Sequence, residues 1–284
     1  MVPNNYPTPP KPIFDVSAGI WDVVRERFKR WGFVAVSIAI VWVVGFWLIV
    51  WYYRLPMSVE TIGVFLFPFL AFVGAVWEMV DMQVRQSFWK QFAARKGWSF
   101  EPWSRTSLEF GAMFREGEGR EISNVVSGPR SVRIFTYTFY KKRFGEKNSR
   151  TYNYTVFAFK FNGHFPHIYL DRIGNPYTIK VGKQISVPVE FKEKFRLSAP
   201  EGYEIEALQI FTPELLAFIL DSSLKHDVEL VNQELLLYVP GKIDNLDELE
   251  KEFSEALTMA NKFAPVLDSI QFQRIGDKPY VLKQ

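Results

Sequence analysis

The chain has 284 residues, a net charge of +3, no cysteine, and 17% aromatic side chains, among them 27 Phe and 9 Trp. A mean hydropathy of −0.04 means that these apolar residues are concentrated in segments rather than spread evenly. Residues 1–77 hold six basic and four acidic side chains, which leaves 28 basic against 27 acidic beyond them. So neutral a remainder speaks against nucleic-acid binding, which needs a basic excess, and the missing cysteines exclude disulfides, thiolate catalysis and Cys-based metal sites.

Residues 1–12, MVPNNYPTPPKP, are proline-rich and lack an apolar period, so a solvated tail is expected. In the next segment Ile20, Val24, Phe28 and Trp31 share one helical face. This juxtamembrane stretch either lies on the membrane or extends the helix that follows. Residues 1–30 thus form a tail and juxtamembrane helix.

From Trp31 to Tyr53 there is no charged residue. As a helix this run spans about 34 Å, enough to cross a hydrocarbon core of about 30 Å. Trp31 marks one end and Trp51, Tyr52 and Tyr53 the other, where amphipathic rings favour the interface. After a short break, Thr61 to Trp77 forms a second apolar run containing Pro68. A transmembrane hairpin is therefore expected over residues 31–77. Arg25, Arg27, Lys29 and Arg30 precede it, Arg85, Lys90, Arg95 and Lys96 follow it, and only Arg54 lies between. The positive-inside bias places both termini in the cytoplasm and predicts a plasma-membrane protein with two spans.

A membrane-proximal helix continues over residues 78–97, with the stripe Val80, Val84, Phe88 and Phe92, last-turn cations Arg95 and Lys96, and Gly97 as its left-handed stop. Residues 98–284 read as a cytoplasmic α+β domain. Extended segments flank a turn at Ser127-Gly128-Pro129-Arg130. A hairpin with the tip KKRFGEKNSR leads into TYNYTVFAFKFN, where Tyr152, Tyr154 and Val156 face one side and Phe157, Phe159 and Phe161 the other. Both faces are apolar and should be covered. FPHIYLDR and part of FKEKFRLSAP read as further short strands, and DVELVNQELLLYV as a hairpin turning at Asn232-Gln233. Thr212 and Pro213 start a short helix. Asn245 with Glu248 caps the long last helix, whose apolar stripe (Leu246, Leu249, Phe253, Ala256, Ala260, Phe263) should pack on the sheet, with Pro265 ending it. The fold class is α+β: the hairpin, a mostly antiparallel sheet, then a long C-terminal helix, with a pleckstrin-like barrel as the alternative.

KGWSF, NVVSGPRSVRIFTYTF, FPHIYL and FRLSAPEGYEIEALQIFTPELLAFIL, spread over about Ala93 to Val239, resemble a family of uncharacterised bacterial two-span membrane proteins with a cytoplasmic domain of unknown function. The resemblance implies the membrane hairpin but no activity and no site residues.

Chemistry-bearing motifs are sparse. His164 and His167 are an odd number apart, which on a strand puts them on opposite faces. Gly117-Glu118-Gly119 lacks the third glycine of a dinucleotide fingerprint and reads as a turn. Asp171, Arg172 and Asp221 read as loop or capping charges. No catalytic residue, metal site or cofactor is expected. The binding candidate is the hairpin tip, where Lys141, Lys142, Arg143, Lys147 and Arg150 surround Phe144 against Glu146 alone. A basic loop presenting an aromatic ring suits an anionic lipid surface or an acidic membrane-protein partner. The functional expectation is a membrane-anchored adaptor or regulatory domain; the alternative is a membrane-bound enzyme acting on a lipid or envelope precursor. The oligomeric state is left open.

Overall fold

The computed structural model describes residues 37, 40–54, 59–104, 111–142, 149–222, 224–243 and 245–269. The proline-rich tail, the juxtamembrane stripe, the start of the first apolar run and most of the hairpin tip lie outside the described residues. The chain divides into two compact units, Met1–Gln91 and Phe92–Gln284, considered separately below.

In the first unit, helix α1 covers residues 40–53, and helix α2 (Val59–Lys96) starts here and ends in the second unit. Pro68 lies inside α2, which continues through it. The described side chains expose apolar surface: Trp47 is 57% exposed, Trp51 77% and Phe67 78%. Among the described residues no helix is long and apolar enough to cross a membrane. The transmembrane hairpin expected over 31–77 is therefore not established by the described residues.

The second unit opens on the last turn of α2. Gly97 takes φ +69, its N–H donates to the Ala94 carbonyl, and the Trp98 N–H donates to the Ala93 carbonyl. This pair of bonds is the glycine-dependent helix stop foreseen from the sequence. The Phe92 and Trp98 rings then meet edge to face and both reach Phe253.

Among the described residues seven strands form one sheet in which every pairing is antiparallel: β1 (Ser99–Ser104), β2 (Glu118–Ser127), β3 (Arg133–Lys142), β4 (Ser149–Arg172), β5 (Lys183–Gln184), β6 (Phe195–Ala199) and β7 (Asp227–Pro240). The path β1-β2-β3-β4-β6-β5 is open, with β7 on the other side of β4. An open antiparallel sheet with a C-terminal helix bears out the α+β reading, and the pleckstrin-like barrel is not observed. The helices beyond α2 are α3 (Val189–Lys192), α4 (Glu204–Ile210), α5 (Pro213–Asp221) and α6 (Leu246–Ser269).

The 24-residue β4 organises the sheet. Its first half pairs with β3, its last four residues with β6, and the stretch from Tyr154 to Leu170 with β7. Register shifts at Lys160/Phe165 and Phe165/Ile168 bend it, with Gly163 at φ +117. FPHIYLDR is therefore not a separate strand but the continuation of β4 past a bulge. The expected hairpin at Asn232-Gln233 is also corrected, because Asp227–Pro240 is one strand. Asn232 sits at φ 56 opposite Phe165, where the left-handed conformation makes a bulge that follows the bend in β4 instead of reversing the chain. Asparagine signals both outcomes, and the partner strand decides between them.

Thr212 caps α5 by accepting from the Leu215 N–H. Asn245 caps α6 by accepting from the Glu248 N–H at 2.7 Å, and its amide donates to the Glu248 carboxylate at 3.0 Å. The helix runs past Pro265 to Ser269, contrary to expectation. Proline removes one backbone donor, and here the last turn forms around that loss. The apolar stripe of α6 is buried, with Phe253 near Phe157 of β4 and Phe263 against Phe211. It thus packs on the domain's own core.

Candidate functional site

The alternation along β4 gives the sheet two different faces. Phe157 lies opposite Ile134 and Leu237 in register and faces α6. Tyr154 lies opposite Tyr137, and Val156 opposite Phe135 and Tyr238, on the other face. That second face is covered by the 3-10 turn Met113–Arg115 and by the strap that carries Tyr177, Ile179 and Val181. Gly182 lets the strap approach β6: it sits at φ +59, and a Cβ there would fall 2.2 Å from the Ala199 carbonyl oxygen.

Beneath this cover lies a cluster of carboxylates and tyrosines. Glu229 is fully buried and accepts three hydrogen-bond contacts: the Tyr238 hydroxyl at 2.5 Å, His167 Nε2 at 2.5 Å and the Ala112 N–H at 2.6 Å. It ties β4, β7 and the 3-10 turn together. Asp227 accepts the Arg172 N–H and the Asn175 amide, each at 2.7 Å, and the Tyr169 hydroxyl at 3.4 Å. Burial pushes the Asp227 carboxyl up to about 7 despite the opposing Arg172 and Asn175 bonds, and the nearby Asp171 adds to the rise. Asp171 is 2% exposed and is raised by burial against the pull of Arg196, which donates to it at 3.1 Å. Burial also raises the phenols of Tyr137, Tyr154, Tyr169 and Tyr238. The hydroxyls of Tyr137 and Tyr154 are buried without a hydrogen-bond partner.

This cluster corrects two sequence readings. Asp171 belongs to a strand core, not to a loop. His167 and His164 do part company as the odd spacing implied, His164 being exposed, but His167 serves a buried carboxylate 62 positions away. The visible signal was a Glu and an Asp in the apolar run DVELVNQELLLYV; nothing local revealed their partners.

The binding candidates from the sequence divide. Lys141 pairs with Arg150 in register, and Lys142 with Ser149, at the loop end of the β3–β4 hairpin. Lys142 and Arg150 are exposed. Lys141 is committed: its ammonium donates to Glu116 at 2.7 Å, bonds the Tyr177 hydroxyl, and sits 5.0 Å from the centre of the Tyr177 ring. The Tyr177 hydroxyl also donates to Glu116. Burial raises the Glu116 carboxyl, but the Lys141 and Tyr177 hydrogen bonds together outweigh it and hold the group below its ordinary value. The Glu116 hydrogen bond, ahead of that from Tyr177, raises Lys141 in turn. Lys141 therefore clasps the strap rather than joining a free basic patch. Arg143, Phe144 and Lys147 lie outside the described residues.

A second grouping was not foreseen. His226, before β7, meets Glu252 and Glu255 of α6. A shallow groove lined by Gln209, Thr212, Pro265, Val266 and Ser269 carries no ionisable side chain.

No protein-family model and no curated protein sequence matches the chain. Among solved structures, the crystal structure of the mycobacterial trehalose monomycolate transport factor A, TtfA, is similar to 64% of this chain and 93% of that one, at 16% identity and a TM-score of 0.47.

Proposed function

We propose that this chain is a membrane-anchored adaptor: residues 31–77 hold it in the bilayer as a two-span hairpin, both termini are cytoplasmic, and the α+β domain binds a partner rather than performing chemistry. The observation that carries the reading is the apolar exposure of the first unit, where Ile40, Val41, Trp47, Leu48 and Trp51 of α1 and Leu66, Phe67 and Leu70 of α2 all stand open. So many large apolar side chains in so short a stretch suit lipid or a protein partner, not water. The described part of α1 accounts for only about 21 Å at 1.5 Å per residue; the uncharged run reaches back to Trp31. The resemblance to two-span bacterial membrane proteins agrees with this reading.

The binding role is supported by how the titratable groups are spent. Glu229, Asp227 and His167 are buried and bonded to neighbouring side chains and backbone, leaving Glu229 no open side for a substrate. Lys142 and Arg150, with the Arg143, Phe144 and Lys147 positions between them in sequence, offer a basic end to an anionic lipid or an acidic membrane protein.

The test is fractionation and topology of the full chain. It should stay with membranes after carbonate extraction, and reporters at residue 5 and after residue 284 should both read cytoplasmic. Release by carbonate defeats the anchor, and an extracytoplasmic C-terminal reporter defeats the adaptor's orientation.

A further inference from the structure

His226 is 1% exposed, and its Nε2 lies 2.6 Å from Glu252 Oε2. Glu252 and Glu255 are three residues apart on α6, which places them on one face of the helix. A ligand atom from each of the three residues lies within 4.8 Å of the other two. An ion pair between His226 and Glu252 needs only those two groups. The third carboxylate adds like charge one turn away, which the positive charge of a cation held between the two would offset. Lys251 supplies part of that charge from outside, at 3.8 Å from Glu255. The imidazole turns its Nε2 toward these carboxylates, while its Nδ1 is buried elsewhere without a hydrogen-bond partner.

We infer that His226, Glu252 and Glu255 form a binding site for a divalent first-row transition ion such as Zn²⁺. The imidazole favours that class over Mg²⁺ or Ca²⁺, which take all-oxygen shells. Three protein ligands leave further positions to water, as in open zinc sites. Bond lengths of about 2.0–2.2 Å require tetrahedral ligand atoms to stand roughly 3.3 Å apart. The His226–Glu252 contact must therefore open slightly and Glu255 must swing in, which its 49% exposed side chain permits. Metal entry would release the Glu255 carboxylate from Lys251 and join the start of β7 to the middle of α6 across the domain core.

The test uses the full chain in detergent, stripped of metal with a chelator and titrated with Zn²⁺ and, as a spectroscopic probe, Co²⁺. One equivalent of Zn²⁺ should bind per chain and raise the melting temperature, and Co²⁺ should develop visible absorption of the intensity given by four or five ligands. Glu255→Gln should weaken Zn²⁺ binding at least about tenfold, the lower end of what loss of even a supporting partner costs. It should leave the metal-free melting temperature unchanged, because that side chain is half exposed. Lys251→Gln should tighten binding. If no Zn²⁺ binds at ~100 µM, between the millimolar and micromolar marks of the affinity scale, the inference is overturned. Unchanged affinity in Glu255→Gln also overturns it, since the ion would then sit on other side chains.

Discussion

Where α6 covers the sheet, hydrocarbon closes the core: Phe157 meets Phe253, and Ile134 and Leu237 flank it in register. Where the strap and the 3-10 turn cover it, the closing groups include four tyrosines, a histidine and two carboxylates, among which Tyr238 and His167 bond Glu229 and Tyr169 bonds Asp227. The first face is held by area removed from water, which is indifferent to pH and tolerant of shape. The second is held by the pairing of groups that cost a great deal when left unpaired. A regular helix presents an apolar stripe and satisfies its own backbone. An irregular strap does neither, and the interior beneath it must supply polar partners such as Glu229 for the Ala112 N–H and Asp227 for Arg172 and Asn175.

Breaking the hydrocarbon face should have the largest effect. Phe253→Ala removes the ring shared by Phe92, Trp98 and Phe157 and should cost about 3–5 kcal/mol. The loss should be equal at pH 5 and pH 8 in urea denaturation. A loss that varied with pH would mean that the two faces are not separable.

The polar face should instead carry a pH signature through Asp227. Its folded-state carboxyl is raised to about 7 from an ordinary 3.8, so the folded state keeps the proton longer. Its contribution is fully present below about pH 4 and is lost as pH rises toward 7. Between pH 5 and 7 the protein should lose roughly 2–3 kcal/mol from this group, at 1.36 kcal/mol per unit. Asp227→Asn should flatten that slope while keeping an acceptor for the Arg172 N–H. An unaltered slope in the variant would assign the pH dependence elsewhere.

Within the same face, Tyr238→Phe deletes the hydroxyl that donates to Glu229 and leaves the ring in place. Leaving a buried acceptor without its hydrogen bond costs about 1–3 kcal/mol. The cost should fall if His167→Gln is made first, because the two donors share one carboxylate.

The two faces also differ in how far the sequence reveals them. The α6 stripe, its Asn245 cap, the Thr212 cap and the Gly97 stop are periodic or short-range signals, and each appears in the structure where it was expected. The tyrosine alternation on β4 was visible for the same reason. The carboxylate cluster was not, because Glu229 and His167 meet only through the pairing of β4 with β7. That pairing was itself obscured by the bulge at Asn232, which reads as a turn. A domain boundary drawn at Gly97 likewise separates Phe92 from Trp98 and Phe253, since a helix stop marks where an element ends and not where a core does.

The smallest effect belongs to the clasp at the edge of the polar face. Lys141 reaches Glu116 at 2.7 Å, with side chains 45% and 30% exposed. Water screens such a pair, and its coupling in a double-mutant cycle of Lys141→Gln with Glu116→Gln should be at most about 1 kcal/mol, falling as salt rises. Lys142→Gln should leave stability unchanged. The contrast matters for the basic hairpin, because charge removal at Lys141 and at Lys142 are different experiments. If the hairpin meets an anionic surface, binding of the full chain to acidic vesicles should weaken when Lys142 is neutralised. Neutralising Lys141 should change it less, because Glu116 already offsets that charge. Equal losses at Lys141 and Lys142 would show that the clasp opens on contact with the surface, so that Lys141 exchanges Glu116 for a lipid phosphate or an acidic partner.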